Sequence, residues 1–179
     1  MRPITVAGRH LALRELAPAD EAPVLELLAA CEDYLVSATG LPAAPGDVQS
    51  LYYGLPDGAA EDDKVPLVAV EGERVIALIG AVRRYPGPAD CSVGLFLVAP
   101  AARRQGIGTA VAAALLDEAR AARAERVTAS TPAGREPGAA FLRARGFTLT
   151  EPAAPGATVG NRSAGPRERP AIRAILALS

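Results

Sequence analysis

Apolar positions along the chain recur with two different periods, and the switch between them divides it into strand-like and helix-like stretches. From Val6 to Leu16 the letters alternate loosely, with Leu11, Leu13 and Leu16 set among His10, Arg14 and Glu15, which predicts a first strand. After Pro18 the spacing becomes helical at Val24, Leu25, Leu27, Leu28 and Cys31, so a helix is expected to run to Tyr34. Asp20 and Glu21 stand where the positive end of its dipole favours them.

Glycine and proline break the segment from Ser37 to Asp63, leaving room for one short helix, Asp47 to Tyr53, capped by Asp47. Val65 to Glu71 and Arg74 to Arg84 are apolar runs joined by Gly72-Glu73, which predicts an antiparallel hairpin. Pro86-Gly87-Pro88 turns the chain into a strand at Cys91, whose stretch Val93 to Ala99 is wholly apolar or glycine and bounded by Pro100, as in a buried strand.

A glycine turn follows, then a helix with an apolar stripe at Val111, Ala114, Leu115, Ala119 and Ala122. Arg126 to Ser130 is the next strand; because a helix intervenes, it is expected parallel to the strand at Cys91 by a right-handed crossover. Gly138 to Arg145 reads as a short helix with Gly146 as its C-cap, and Gly146-Phe147 as the start of another strand. Pro152 to Pro170 is a long Pro/Gly-rich connection, expected to be a mobile loop, and Ala171 to Leu178 a final strand.

The chemistry sits in the turn between Arg103 and Thr109. Two glycines there let the backbone bend sharply and leave several N–H groups pointing into one concavity at a helix N-terminus, which suits an anion. Arg103 and Arg104 add charge beside it, so a phosphate-bearing guest is expected. A dinucleotide fingerprint would need a further glycine where Val111 stands, and a nucleotide-triphosphate loop would need a lysine, whereas the single lysine is the distant Lys64.

The letters Val98-Ala99-Pro100 followed by Arg103-Arg104-Gln105-Gly106-Ile107-Gly108 resemble the cofactor motif of the GNAT-type N-acetyltransferase superfamily. The run Ala140 to Phe147, a short helix ending in Gly-Phe, resembles a second landmark of that family. The resemblance implies an α+β fold: one three-layer domain with a mixed, mostly antiparallel central sheet of six to seven strands, flanked by helices and splayed at its two central parallel strands. It would occupy residues 1–179 as a single acetyltransferase domain. Residues 6–64 would form the first strand and acceptor-side helices, 65–147 the cofactor-binding core, 152–170 the loop and 171–178 the last strand.

It further implies acetyl-CoA as co-substrate. A bulge at Val98 would part the parallel strands, and Phe96, Leu97 and Val98 would give main-chain hydrogen bonds to the pantetheine arm. The pyrophosphate would rest on amides from Arg104 to Thr109, among them those of Gln105, Gly106, Ile107 and Gly108, with the Arg103 and Arg104 side chains close by. Three tyrosines, Tyr34, Tyr52 and Tyr53, fall in the region that borders the acceptor in the family; they suit a pocket lining or rings packed on the sheet.

The acid and base usual in this family are missing: Leu142 stands at the tyrosine position, Arg135 at that of an asparagine, and no glutamate lies near Gly94. Candidate catalytic residues are therefore Ser130 with its neighbour Thr131, Tyr85, Tyr34 and Asp33, with Glu32 beside it. Each has a plain structural reading as well. Cys91 lacks a basic neighbour that would make it a nucleophile, and His10 reads as a surface residue.

Composition narrows the partners. A net charge of −1 gives no electrostatic case for nucleic acid or an anionic membrane. No apolar run approaches the ~20 residues of a membrane span and no signal peptide is legible, so a cytoplasmic location is expected. Cys31 and Cys91 are expected as free thiols, and no metal site can be assembled from one histidine and two cysteines. The expected partner is an amine, on a small molecule or a peptide, and a homodimer is compatible with the resemblance. The alternative is a non-catalytic acyl-CoA-binding sensor or docking module of the same fold.

Overall fold

The computed structural model describes residues 1–150 and 170–178. The loop expected over 152–170 therefore lies, but for Pro170, outside the described residues. An eight-stranded sheet runs in the order β1-β2-β3-β4-β5-β6-β8-β7. Its strands are β1 (Arg2–Val6), β2 (Arg9–Glu15), β3 (Lys64–Glu71), β4 (Arg74–Arg83), β5 (Asp90–Val98), β6 (Arg126–Pro132), β7 (Thr148–Leu149) and β8 (Ala171–Ala177). Among the described residues only β5 and β6, joined through a helix, pair in parallel.

Strand alternation divides the core into two layers. Leu67, Ala69, Ala77 and Ile79 face a cluster with Ile107, Val111 and Leu115 of α4 (Ile107–Ala121). Val68, Val70, Leu78 and Leu97 face the opposite cluster, with Val24 and Leu28 of α1 (Glu21–Ala30), Leu35 of α2 (Glu32–Thr39) and Leu51 of α3 (Pro45–Tyr53). The three-layer α+β architecture is thus present.

Several elements differ from the sequence reading. α3 starts at Pro45 with Asp47 as its third residue, accepting from the Ala44 N–H (2.8 Å), and not as its cap; the helix expected from Gly138 starts at Glu136. The first strand is a hairpin, β1–β2, because Ala7 and Gly8 both adopt positive φ (51° and 76°) in a two-residue turn whose twist suits paired strands. The helix expected from Pro18 breaks at Cys31, where ψ is 25°; α2 then continues past Tyr34 to Thr39 and ends on left-handed Gly40.

The separation of β5 from β6 positions the site. They pair only over Asp90–Val93 with Arg126–Ala129. At the zipped end the buried Asp90 carboxylate accepts two hydrogen bonds from Arg126 (2.9 and 2.7 Å). Beyond it, Ser130 to Pro132 pair only with β8. The irregularity stands at Gly94, not at Val98: the β4–β5 register steps from Gly80↔Leu95 to Ala81↔Val93, while Val98 pairs regularly with Ala77. An extra residue there kinks β5 away from β6, and glycine is suited to it. Gly80 is constrained by the same feature, since a Cβ on it would lie 3.3 Å from the Leu95 Cβ.

Candidate active site

Between the parted strands, α4 and α5 (Glu136–Ala144) lies a cavity of about 610 Å³. Its upper rim is the glycine turn. Gly106 is the N-cap of α4 with φ +79°, and Ala110 N–H makes the first helical bond, to the Gly106 carbonyl (3.0 Å). The amides of Ile107, Gly108 and Thr109 consequently have no acceptor within the helix, and they carry its positive dipole end. A Cβ at Gly106 would meet Val6 Cγ2 at 3.2 Å, so the turn has no space for a side chain on that flank. Arg104 is left-handed too (φ 63°) and exposed beside the turn. Anionic groups fit this arrangement.

The slot's edge follows from the β4–β5 ladder. Ala99 N–H donates to the Ile76 carbonyl (2.8 Å), and peptide groups alternate along a strand. Phe96 and Val98 therefore direct N–H and C=O into the slot, while those of Leu97 belong to the ladder with β4 and its side chain is buried. Phe96 stacks on Phe141 of α5 (centroids 5.5 Å apart), which also neighbours Gly108.

Arg103 turns inward. Its Nε donates to the Val98 carbonyl (2.9 Å), one Nη lies 3.4 Å from the Cys31 Sγ and the other 3.5 Å from Asp33 Oδ2. Arg135 closes the same corner from the N-cap of α5, donating to the Asp33 carbonyl (2.6 Å), the Asp33 carboxylate (2.8 Å) and Ser37 Oγ (3.2 Å). Its guanidinium also lies 5.8 Å from the centre of the Tyr34 ring. The Arg135 hydrogen bond holds the Asp33 carboxyl below its ordinary pKa, and burial pushes the Tyr34 phenol above its own.

Four arginines line the cavity (Arg103, Arg104, Arg135 and Arg145), and among the described residues no carboxylate does. Their field stabilises anions and lowers the pKa of an amine brought in among them.

A family model described as "Acetyltransferase (GNAT) family" matches residues 26–147. The chain belongs to that family. Comparison with curated proteins finds no match. Solved structures share the fold at low identity. An acetyltransferase from Thermus thermophilus is 15% identical with a TM-score of 0.70, over 99% of this chain and 100% of that one. A ribosomal-protein-alanine N-acetyltransferase from Brucella melitensis is 19% identical with a TM-score of 0.68, over 93% and 99%. An N-acetyltransferase from Staphylococcus aureus is 16% identical with a TM-score of 0.66, over 94% and 99%.

Within this GNAT chain the residues singled out from sequence divide into groups. Phe96, Leu97, Val98, Arg103, Arg104, Gly106, Gly108 and Thr109 border one cavity with Ser130, Thr131 and Tyr34. Ile107 is fully buried and contributes its amide. Gln105 faces outward, accepting from Arg9 Nη1 (3.1 Å) and donating to the Ala101 carbonyl (2.8 Å). Asp33 stands behind the lining, in its ion pairs.

Tyr85 lies in the β4–β5 turn, where its N–H meets the Asp90 carbonyl (3.3 Å), at the end of β5 remote from the glycine turn. Tyr52 and Tyr53 pack against each other, and neither borders the cavity. Burial pushes the Cys91 thiol up to about 11, which suits an inert core residue. His10 contacts Thr5 at an exposed site. Sequence reasoning gave no role to Arg135 and Arg145; the one available signal was their place at the two ends of α5. No helix among the described residues is long and apolar enough to cross a membrane.

Proposed function

We propose that the chain moves an acetyl group from acetyl-CoA to a primary amine of a small molecule or peptide, by direct transfer in a ternary complex. The observation that carries this reading is the continuity of one cavity from the unbonded amides of α4 to the strand edge at Val98 and Phe96. A diphosphate fits the amides with Arg104 beside it, and a pantetheine amide fits the slot-facing peptide groups. With the pantetheine amide at Val98, the Phe96 N–H, deeper in the slot, is a donor for the thioester oxygen as it gains charge.

An ammonium has no lone pair to attack with, and its pKa near ~10 keeps it protonated at neutrality. The arginine-rich cavity favours the neutral amine, so its proton leaves to water without a carboxylate in the lining. Of the lining hydroxyls, Thr109 stands at the glycine turn, and Tyr34, Ser130 and Thr131 are available to orient the acceptor or the sulfur.

A second reading, acyl-CoA binding without transfer, draws on the same absence of a carboxylate base among the described lining residues. The test has two stages. A rise in melting temperature on titrating acetyl-CoA supports binding; CoA release with members of an amine panel supports transfer. Binding with no release from any amine selects the second reading, and no thermal shift removes both.

A further inference from the structure

Three of the cavity's four arginines already have an evident use, since Arg103 and Arg135 hold Asp33 and Arg104 flanks the amides of α4. Arg145 does not. Its Nε is buried and has no hydrogen-bond partner among the described residues, although the side chain borders the cavity. The side chain as a whole is half-buried, and its one buried donor gains when an acceptor arrives.

Its depth in the cavity is fixed by the course of α5. The helix starts near the open end of β6, where a Cβ on Gly138 would strike Thr131, and descends until Gly146 stands 3.5 Å from Leu176 at the position of its missing Cβ. Leu176 is the partner of Val127, within the zipped part of the strands. Arg145 caps the C-terminus of α5, and its side chain borders the cavity together with Val93, Val127 and Ala129, the residues at which the slot ends. From Val98 to Val93 the strand covers about 17 Å at its usual rise. A tail anchored by its diphosphate at α4 and laid along Val98 and Phe96 points its sulfur at that end.

Resting on the function proposed above, we infer that Arg145 is a catalytic residue whose guanidinium faces the coenzyme sulfur and stabilises the departing thiolate. In that step the amine nitrogen bonds to the carbonyl carbon, the C–S bond breaks with its electron pair left on sulfur, and the amine's surplus proton passes to water. Arg145 keeps its own proton throughout, because guanidinium does not deprotonate in proteins. It acts as fixed charge and hydrogen-bond donor. Among the described residues, Tyr34 is the one neutral titratable group that shares the lining with the four arginines.

The test needs no knowledge of the acceptor. The thiol of CoA bound to the full chain is titrated by its thiolate absorbance in the wild type, Arg145→Met and Arg145→Lys, with folding checked by melting temperature. A cation within reach of the sulfur lowers the bound thiol's pKa by about one unit or more against free CoA. Arg145→Met should bring it back to the free value or above, and Arg145→Lys should retain most of the depression. An unchanged titration in Arg145→Met overturns the inference. So does an Arg145→Met variant that binds CoA at least tenfold more weakly but dephospho-CoA normally, which would make Arg145 a ligand of the 3′-phosphate. If the wild type fails to bind CoA at all, the proposed function itself fails, a result distinct from either.

Discussion

The two ends of the β5–β6 pair are built from the same strands and do opposite things. At one end Asp90, buried with its carboxylate held by Arg126, clamps a short parallel ladder. At the other no ladder forms, and the corner is spanned by side chains, with Asp33 between Arg103 and Arg135. The difference lies in the backbone at Gly94 and in burial: the closed end is held by a carboxylate 6% exposed, the open end by one 50% exposed. A slot can open beside a stable sheet when strong, dry contacts are kept at its base and weak, wet ones at its mouth.

The largest break is expected at the rim. Gly106→Trp forces a side chain into φ +79° and against Val6, which costs about 1–2 kcal/mol in backbone strain and displaces the turn that presents the α4 amides. Thermal-shift titration should then show no acetyl-CoA binding at concentrations that saturate the wild type. Retained affinity would remove the α4 amides from the proposed site.

Next is the clamp. Asp90→Ala removes charged hydrogen bonds and should lower stability by about 2 kcal/mol in denaturant melts. The Arg126 hydrogen bond holds the Asp90 carboxyl below its ordinary pKa. Its contribution is therefore complete above the unfolded carboxylate pKa and is lost as pH falls through the lower, folded value. The stability gap between wild type and Asp90→Asn should narrow over that acidic window and stay flat near neutrality.

A smaller effect separates binding from folding at the open rim. Arg104 holds a left-handed φ that favours glycine, and a strained residue persists most readily where the site uses it. Arg104→Gly should leave stability unchanged or raise it by up to about 1 kcal/mol while weakening acetyl-CoA about three- to tenfold. A variant that binds as well as the wild type would leave that arginine without a role.

The parallel pairing of β5 with β6 and the glycine turn were legible in the sequence, whereas the Asp90 clamp and the corner at Asp33 were not. An apolar run, a proline and paired glycines report local backbone demands, so β5, the turn and α4 could be read from neighbouring letters. The register step at Gly94 depends on β4 across the sheet, and the Asp33–Arg135 contact joins residues far apart in the chain; neither leaves a local pattern. Ala7-Gly8 was the short-range exception, a hairpin turn too brief to interrupt the alternation from Val6 to Leu16. Tyr85, a candidate catalytic residue by sequence, lies at the wrong end of β5 to border the cavity, and that too depends on how the sheet is assembled.

The smallest predicted effect is also the sharpest test of the contrast between the ends. Asp33→Ala removes a half-exposed partner of two arginines, so its cost should be at most about 1 kcal/mol and should shrink at high salt, where surface ion pairs are screened. The cost of Asp90→Ala should persist, because Asp90 is buried. Melting both variants beside the wild type at low salt and at about 1 M sodium chloride, where the Debye length is about 3 Å, checks this directly. Equal salt dependence would mean that Asp90 is as wet as Asp33, and the slot would then owe its shape to Gly94 alone. With Asp33 gone, Arg103 retains its bond to the Val98 carbonyl, so the variant also asks whether the corner must be tied to α2 for the coenzyme to bind. Acetyl-CoA affinity within about twofold of wild type is the expected answer, since the amides and Arg104 remain in place.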